Sequence, residues 1–378
     1  MNILQVIPQL DAGGAERTTL EVAEAIVAAG GRALVASQGG RLEDELKALG
    51  GELIRMPVAT KNPFTAWNNA RKLANLIRDE DIDIIHARSR APAWSAKWAA
   101  DQTSAHYVTT YHGTYNAKSA LKRWYNSIMA RGERVIANSQ FIHDHIVKHH
   151  PFAAEKITVI PRGVDLDKFD PDVVEPSRLD HLAKSWNIDR ASKQLIALYP
   201  ARLTKWKGQL EMLQALGQLK ADGDDLPLTV FAGDAQGRTE YVERMQALID
   251  QFGLQDDVRL VGHCDDMPAA FGLADLVLTP SIEPEAFGRT AAEAGAMHVP
   301  VIAADHGGAR EVVKIGETGW RVEPASVIAL SQALTQVISM TQKERDAMGE
   351  RAANRIKQRF SARALQEATL RVYSELLD

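Results

Sequence analysis

The sequence predicts an α/β protein built from two doubly wound, Rossmann-like domains facing each other across a cleft. Three observations carry that reading. The chain has 378 residues, more than one compact domain ordinarily holds. Short β-branched runs alternate with longer stretches of helical period, the pattern of parallel strands joined by helices. A charged stretch then interrupts the alternation, which starts again beyond it.

In the first half the expected strands are 2–8, 33–37, 52–58, 83–87, 106–111, 134–138 and 157–161, each ending in a polar or Gly/Pro-containing turn. Leu20, Ala23 and Val27 recur at spacings of three and four, so 16–29 can bury one helix face on a sheet and complete a βαβ unit. Residues 165–190 are charged, contain Pro171 and Pro176 and lack a long apolar run, which reads as a connection. Strands resume at 194–199, 228–232, 258–262, 276–280 and 299–303, and 341–378 has the composition of helix. The expected domains are 1–170, a linker over 171–192, and 193–357, with a final helix over 358–378.

Composition excludes several classes. Apolar residues at 45% and charged residues at 25% suit a globular chain. A net charge of −5 argues against a nucleic-acid partner, because phosphate binding ordinarily requires a cationic excess. Cys264 is the single cysteine, so neither an intramolecular disulfide nor a Cys-based zinc site can form, and a reducing, cytoplasmic compartment is expected. The first eight residues read as a strand rather than a signal peptide, and the apolar runs fall far short of the roughly 20 residues of a membrane span.

Four motifs fall at expected strand ends, where open α/β sheets bind ligands. In 281–294, Glu285 precedes a helix opening at Gly288, and Glu293 lies four residues after Arg289 on one helix face. The amides of Arg289 and Thr290 would lie in a first helical turn, which favours phosphate, while a carboxylate suits the vicinal diol of a ribose. In 199–208, Arg202 and Lys207 could converge on one diphosphate. Gly13 and Gly14 allow close approach of backbone to donor or acceptor, although the spacing is not the dinucleotide fingerprint. His112 and Gly113 end a further strand, and Gly262-His263 and 305–311, which includes His306, end others.

The segment 281–294, with Phe287-Gly288 between its two glutamates, resembles the signature of the retaining glycosyltransferase family 4, of two-Rossmann GT-B architecture, and the likeness covers nearly the whole chain. The resemblance implies that Glu285 contacts the donor sugar, that Glu293 holds the ribose, and that the backbone between them meets the diphosphate. It implies the same neighbourhood for Gly13, Gly14 and His112. It further implies closure of the domains over the donor, with the final helix crossing back to the first domain. The family usually shows Gly-Arg-Leu before its Lys-Gly pair, so Ala201 departs from the pattern and 204–206 is an insert. Together these features lead us to expect a metal-independent enzyme with no cofactor, taking a nucleotide-diphosphate sugar as donor and a glycan or glycolipid as acceptor.

On the acceptor side, Lys61, Arg88 and Arg90 could meet anionic groups. The block 86–94 is similar to bacterial lipopolysaccharide-core members of the family. Residues 118–134 carry Lys118, Lys122, Arg123, Arg131 and Arg134 against Glu133 alone, interleaved with Trp124, Tyr125, Ile128 and Met129. That mixture suits either a helix resting on an anionic membrane or a packed helix with a solvated basic side. A nucleotide-sugar epimerase or a phosphorylase of the same fold is the alternative among enzymes. A silent glycan-binding or membrane-scaffold protein is the alternative outside them.

Overall fold

The computed structural model describes residues 1–11, 13–115 and 119–378, and they divide into two compact units: 1–163 with 362–378, and 164–361. In the first unit the strands are β1 (Asn2–Val6), β2 (Arg32–Ser37), β3 (Glu52–Arg55), β4 (Ile84–Ala87), β5 (His106–Tyr111), β6 (Arg134–Ala137) and β7 (Ile157–Val159). Between them run α1 (Gly14–Ala28), α2 (Glu43–Ala48), α3 (Pro63–Asp79), α4 (Arg90–Ala100), α5 (Ala120–Asn126) and α6 (Gln140–His149). All seven strands are parallel, in the order β3-β2-β1-β4-β5-β6-β7.

The second unit holds β8 (Ile196–Pro200), β9 (Leu228–Ala232), β10 (Val258–Gly262), β11 (Leu276–Thr279), β12 (Val301–Ala304) and β13 (Gly319–Val322), parallel in the order β10-β9-β8-β11-β12-β13. Its helices are α7 (Pro176–Ser185), α8 (Gln209–Asp222), α9 (Thr239–Gln251), α10 (Met267–Gly272), α11 (Arg289–Ala296), α12 (Ala309–Val312), α13 (Val327–Ser339) and α14 (Gln342–Arg359). The last helix, α15 (Ala362–Leu377), belongs to the first unit.

Central strands such as β4 and β12 are buried at every residue, as parallel strands covered on both faces must be. In each sheet the order turns back at one place, between β1 and β4 and between β8 and β11. The crevice outside the carboxyl ends at such a switch point is where doubly wound sheets take their ligands. The loops after β1, β4, β8 and β11 are therefore the ones the topology brings forward.

Three boundaries differ from expectation. Residues 171–192 are no linker: Val174, Ala183, Trp186 and Ile188 lie in the core of the second unit, and α7 packs on α10. Their apolar positions are too widely spaced to show as a run, yet they belong to that core. The final helical stretch breaks at Phe360, which packs edge-to-face on Phe287 at 5.5 Å, so α15 begins at Ala362 rather than at 358. Leu365, Thr369, Val372 and Tyr373 form its buried stripe, and α15 lies against α1. Finally, β13 extends the second sheet beyond the five strands expected there.

Candidate functional site

In the second unit, the loops leaving β8 and β11 are knitted together. Residues 205–207 form a single 3₁₀ turn ended by Gly208, whose φ of 86° suits glycine. The Trp206 carbonyl accepts from Ile282 N at 2.7 Å, which joins the turn to the segment after β11. Lys207 Nζ then reaches Glu285 Oε1 at 2.7 Å, and Ser281 Oγ donates to the same oxygen at 2.6 Å. Trp206 lies under the ammonium, 4.3 Å from nitrogen to ring centroid. His306 Nε2 stands 2.8 Å from the Ser281 carbonyl; since that oxygen can only accept, Nε2 carries the hydrogen.

This arrangement decides the charge on Glu285. Burial pushes its carboxyl up, but the Lys207 ammonium, with the hydrogen bonds from Lys207 and Ser281 and the proximity of His306, outweighs burial and holds it below the usual range. A carboxylate and an ammonium thus stand side by side at the switch point. An ammonium has three N–H donors, so Lys207 can keep Glu285 and still donate to an arriving anion.

Four residues on, α11 opens from Gly288 in the left-handed region, φ 92°. Arg289 Nε pairs with Glu293 Oε1 at 2.9 Å across one helical turn. The first turn of α11 presents N–H groups without intrahelical acceptors, at the positive end of the helix. Gly308 explains the neighbouring loop: a Cβ there would lie 2.4 Å from Phe287 Cα, and its N–H donates to the Glu285 carbonyl at 2.8 Å. The glycines of 307–308 therefore let the 305–309 loop buttress the Glu285 backbone.

The other expected residues of this unit fare differently. Arg202 is exposed, and its guanidinium makes no hydrogen bond or ion pair among the described residues; its carbonyl accepts from Gln209. Thr290 lies in the first turn of α11. The Phe287 ring is only 2% exposed and belongs to the core, so the expectation of a ligand contact falls on its backbone alone. Gly262 ends β10, the edge strand, and His263 follows it, paired with exposed Asp265 at 3.0 Å.

In the first unit, Gly13 caps α1 and Gly14 begins it. Their open sides are taken by side chains of this chain. A Cβ on Gly13 would meet the Glu16 carboxylate at 2.2 Å, and one on Gly14 would meet Arg162 Nη1 at 2.2 Å. Arg162 follows β7, and its Nη2 stands 3.2 Å from Nδ1 of His112 after β5. Buried His112 Nε2 has no hydrogen-bond partner among the described residues. The sequence reading missed Arg162; the available signal was a cation following a strand end, between Pro161 and Gly163.

Arg88 corrects an expectation. It is 2% exposed, and its guanidinium bonds to Gln5 Oε1 at 2.8 Å, so it cannot meet an acceptor at the surface. Nearby His86 is held between the Tyr373 hydroxyl, 2.6 Å from Nδ1, and Thr110 Oγ1, 2.7 Å from Nε2. Arg90 lies over the Tyr115 ring at 4.2 Å and donates to Asn126 at 3.0 Å, while Lys61 is exposed in the loop before α3.

The basic and aromatic stretch is also narrower than expected. Lys118 lies outside the described residues, and Ile128 and Met129 are core residues. Among the described residues of this stretch, α5 carries the exposed large apolar side chains: Leu121 is 73% exposed, and Trp124, 54% exposed, stacks on Trp94 at 4.7 Å. No described helix is long and apolar enough to cross a membrane.

Comparison with known proteins assigns these two units. Residues 12–168 match the family model described as Glycosyltransferase Family 4, and residues 182–355 match Glycosyl transferases group 1. The crystal structure of a glycosyltransferase from Rickettsia africae ESF-5 is 37% identical, covers 100% of this chain and 98% of its own, and superposes with a TM-score of 0.92. The putative glycosyltransferase EpsD of Bacillus subtilis strain 168 is 27% identical over 84% of each chain. A lipopolysaccharide 1,2-N-acetylglucosaminetransferase of Salmonella typhimurium strain LT2 is 29% identical over 60% of this chain and 58% of its own.

Proposed function

The chain belongs to glycosyltransferase family 4, and from that premise we propose that it transfers a sugar, with retention of configuration and without an essential metal, from a nucleotide-diphosphate sugar to an anionic glycan or glycolipid of the cell envelope. The observation that carries this reading is the Lys207–Glu285 pair of 2.7 Å beside the start of α11. There Lys207, Arg202 and the first-turn amides of α11 receive the diphosphate and stabilise the charge that grows on it as it departs. Glu293 takes the ribose hydroxyls and Glu285 those of the sugar, each as a hydrogen-bond acceptor. In the first unit His112 is the residue assigned to the transferred sugar; the open sides of Gly13 and Gly14 hold Glu16 and Arg162 instead. Cationic side chains fill the role a divalent metal would play, and no carboxylate is assigned as a covalent nucleophile.

The acceptor reading rests on Lys61 and Arg90, on the likeness of 86–94 to lipopolysaccharide-core enzymes, and on the lipopolysaccharide relative. Exposed Leu121 and Trp124 beside Lys122 and Arg123 suit peripheral contact with an anionic leaflet, which supports a reading of work at the inner face of the cytoplasmic membrane.

The test incubates purified protein with UDP-, GDP- and ADP-sugars, with and without lipopolysaccharide-core and other glycolipid acceptors, in the presence of EDTA. Transfer that needs acceptor, survives EDTA and gives a product of the donor's anomeric configuration is the expected result. Sugar conversion without acceptor would instead make the chain an epimerase. Inversion of the product or loss of activity in EDTA would overturn the mechanism.

A further inference from the structure

His112 is a site residue in the reading above, and its neighbours decide whether it is fit for that role. A neutral imidazole can carry its hydrogen on either nitrogen, and the choice decides whether it donates or accepts toward a ligand. Arg162 Nη2 stands 3.2 Å from His112 Nδ1. A guanidinium has only N–H groups to offer and does not lose its proton, so Nδ1 must present its lone pair. The hydrogen then resides on Nε2. Protonating the ring would set an Nδ1–H against an Arg162 N–H, which both geometry and charge oppose.

The surroundings act in the same direction. Burial, then Arg162, then Arg88 hold His112 well below the ordinary histidine range, and His86 nearby is likewise held neutral. Nε2, the nitrogen left carrying hydrogen, is buried and has no acceptor among the described residues. A buried donor without an acceptor is costly, so the working state requires an oxygen at that position. Gly14 completes the device: any Cβ there would intrude on Arg162 Nη1, at 2.2 Å.

We infer that Arg162 is a positioning residue that locks His112 as the Nε2–H tautomer, which makes His112 a neutral hydrogen-bond donor to a ligand oxygen and excludes it as a base.

The test reads the ring nitrogens of His112 directly, by NMR of the full-length protein labelled with ¹⁵N-histidine and without substrate, the signal being assigned by its loss in His112→Asn. The wild type should show one neutral Nε2–H imidazole between about pH 5.5 and 8. Arg162→Lys, which still offers a donor to Nδ1, should retain that signature. Arg162→Leu and Gly14→Ala, the first removing the guanidinium and the second displacing it, should give mixed tautomers. With active enzyme, Arg162→Leu should lower kcat by about tenfold, while Arg162→Lys stays within about threefold of the wild type.

An Nδ1–H or doubly protonated His112 in the wild type at neutral pH would overturn the inference, as would an Arg162→Leu spectrum identical to the wild type's. Should Arg162→Leu fail to fold, the wild-type and Gly14→Ala spectra decide. Because the spectrum needs no turnover, an inactive wild-type protein would defeat the proposed reaction and leave the tautomer standing. An active protein with the wrong tautomer would do the reverse.

Discussion

Lys207 and Glu285 are held in register by contacts that a linear sequence does not display: a shared oxygen with Ser281, a ring beneath the ammonium and a carbonyl that anchors Ile282. The two loops lie far apart in sequence and meet only because β8 and β11 are neighbours. Replacing Lys207 by Met leaves a carboxylate with little solvent around it and one hydrogen bond fewer. The expected loss is about 2–3 kcal/mol in urea denaturation at neutral pH, the scale of a hydrogen bond to a charged group. Because the folded state holds the Glu285 carboxyl low, its contribution is present above about pH 4.5 and is lost as pH falls through the folded value. The histidines act earlier. Burial first, then neighbouring Arg88, keeps His86 neutral in the fold, and burial, Arg162 and Arg88 do the same for His112. The unfolded chain takes up these protons below about pH 6.5 and the folded chain does not, so these two rings alone should lower stability by about 2–3 kcal/mol between pH 7.5 and 5.5, and His145 and His150, also held low chiefly by burial, add to the fall. Chemical denaturation at the two pH values checks this; a flat profile would contradict the neutral buried rings.

Among the elements, strands and motif-bearing loops were legible because apolar runs and strand-end glycines are local signals. What escaped notice was set by partners distant in sequence. β13 is four residues long and contains Gly319 and Arg321; it forms because β12 offers an open edge. α7 reads as charged linker, yet the segment it opens puts Trp186 into the second core. Trp186→Ala should therefore cost about 3–5 kcal/mol in equilibrium unfolding, whereas a true linker residue would tolerate it. Arg88 looked like a surface cation because its neighbours Ser89 and Arg90 are polar; only the packing of β1 beside β4 reveals its burial against Gln5. The entry to α14 is simpler, with Thr341 and Glu344 forming a reciprocal capping box. Thr341→Ala should lose about 1 kcal/mol, read as a shift in the denaturation midpoint with an unchanged slope.

At the scale of the whole molecule, the chain passes between its two compact units twice, at 163–164 and 361–362, and α15 returns to complete the first. The proposed chemistry assigns the nucleotide to the second unit, so binding should be readable there without any acceptor. The most direct measurement is a calorimetric titration of UDP, GDP and ADP into the wild type, Lys207→Met and Glu293→Ala, with EDTA throughout. One nucleotide is expected to bind the wild type, raising native-state stability by about 2.7 kcal/mol at a hundredfold excess over its Kd. Both variants should weaken that binding by at least about tenfold. Failure of all three nucleotides to bind, or binding equally tight in both variants, would contradict the placement of a diphosphate between Lys207 and the start of α11.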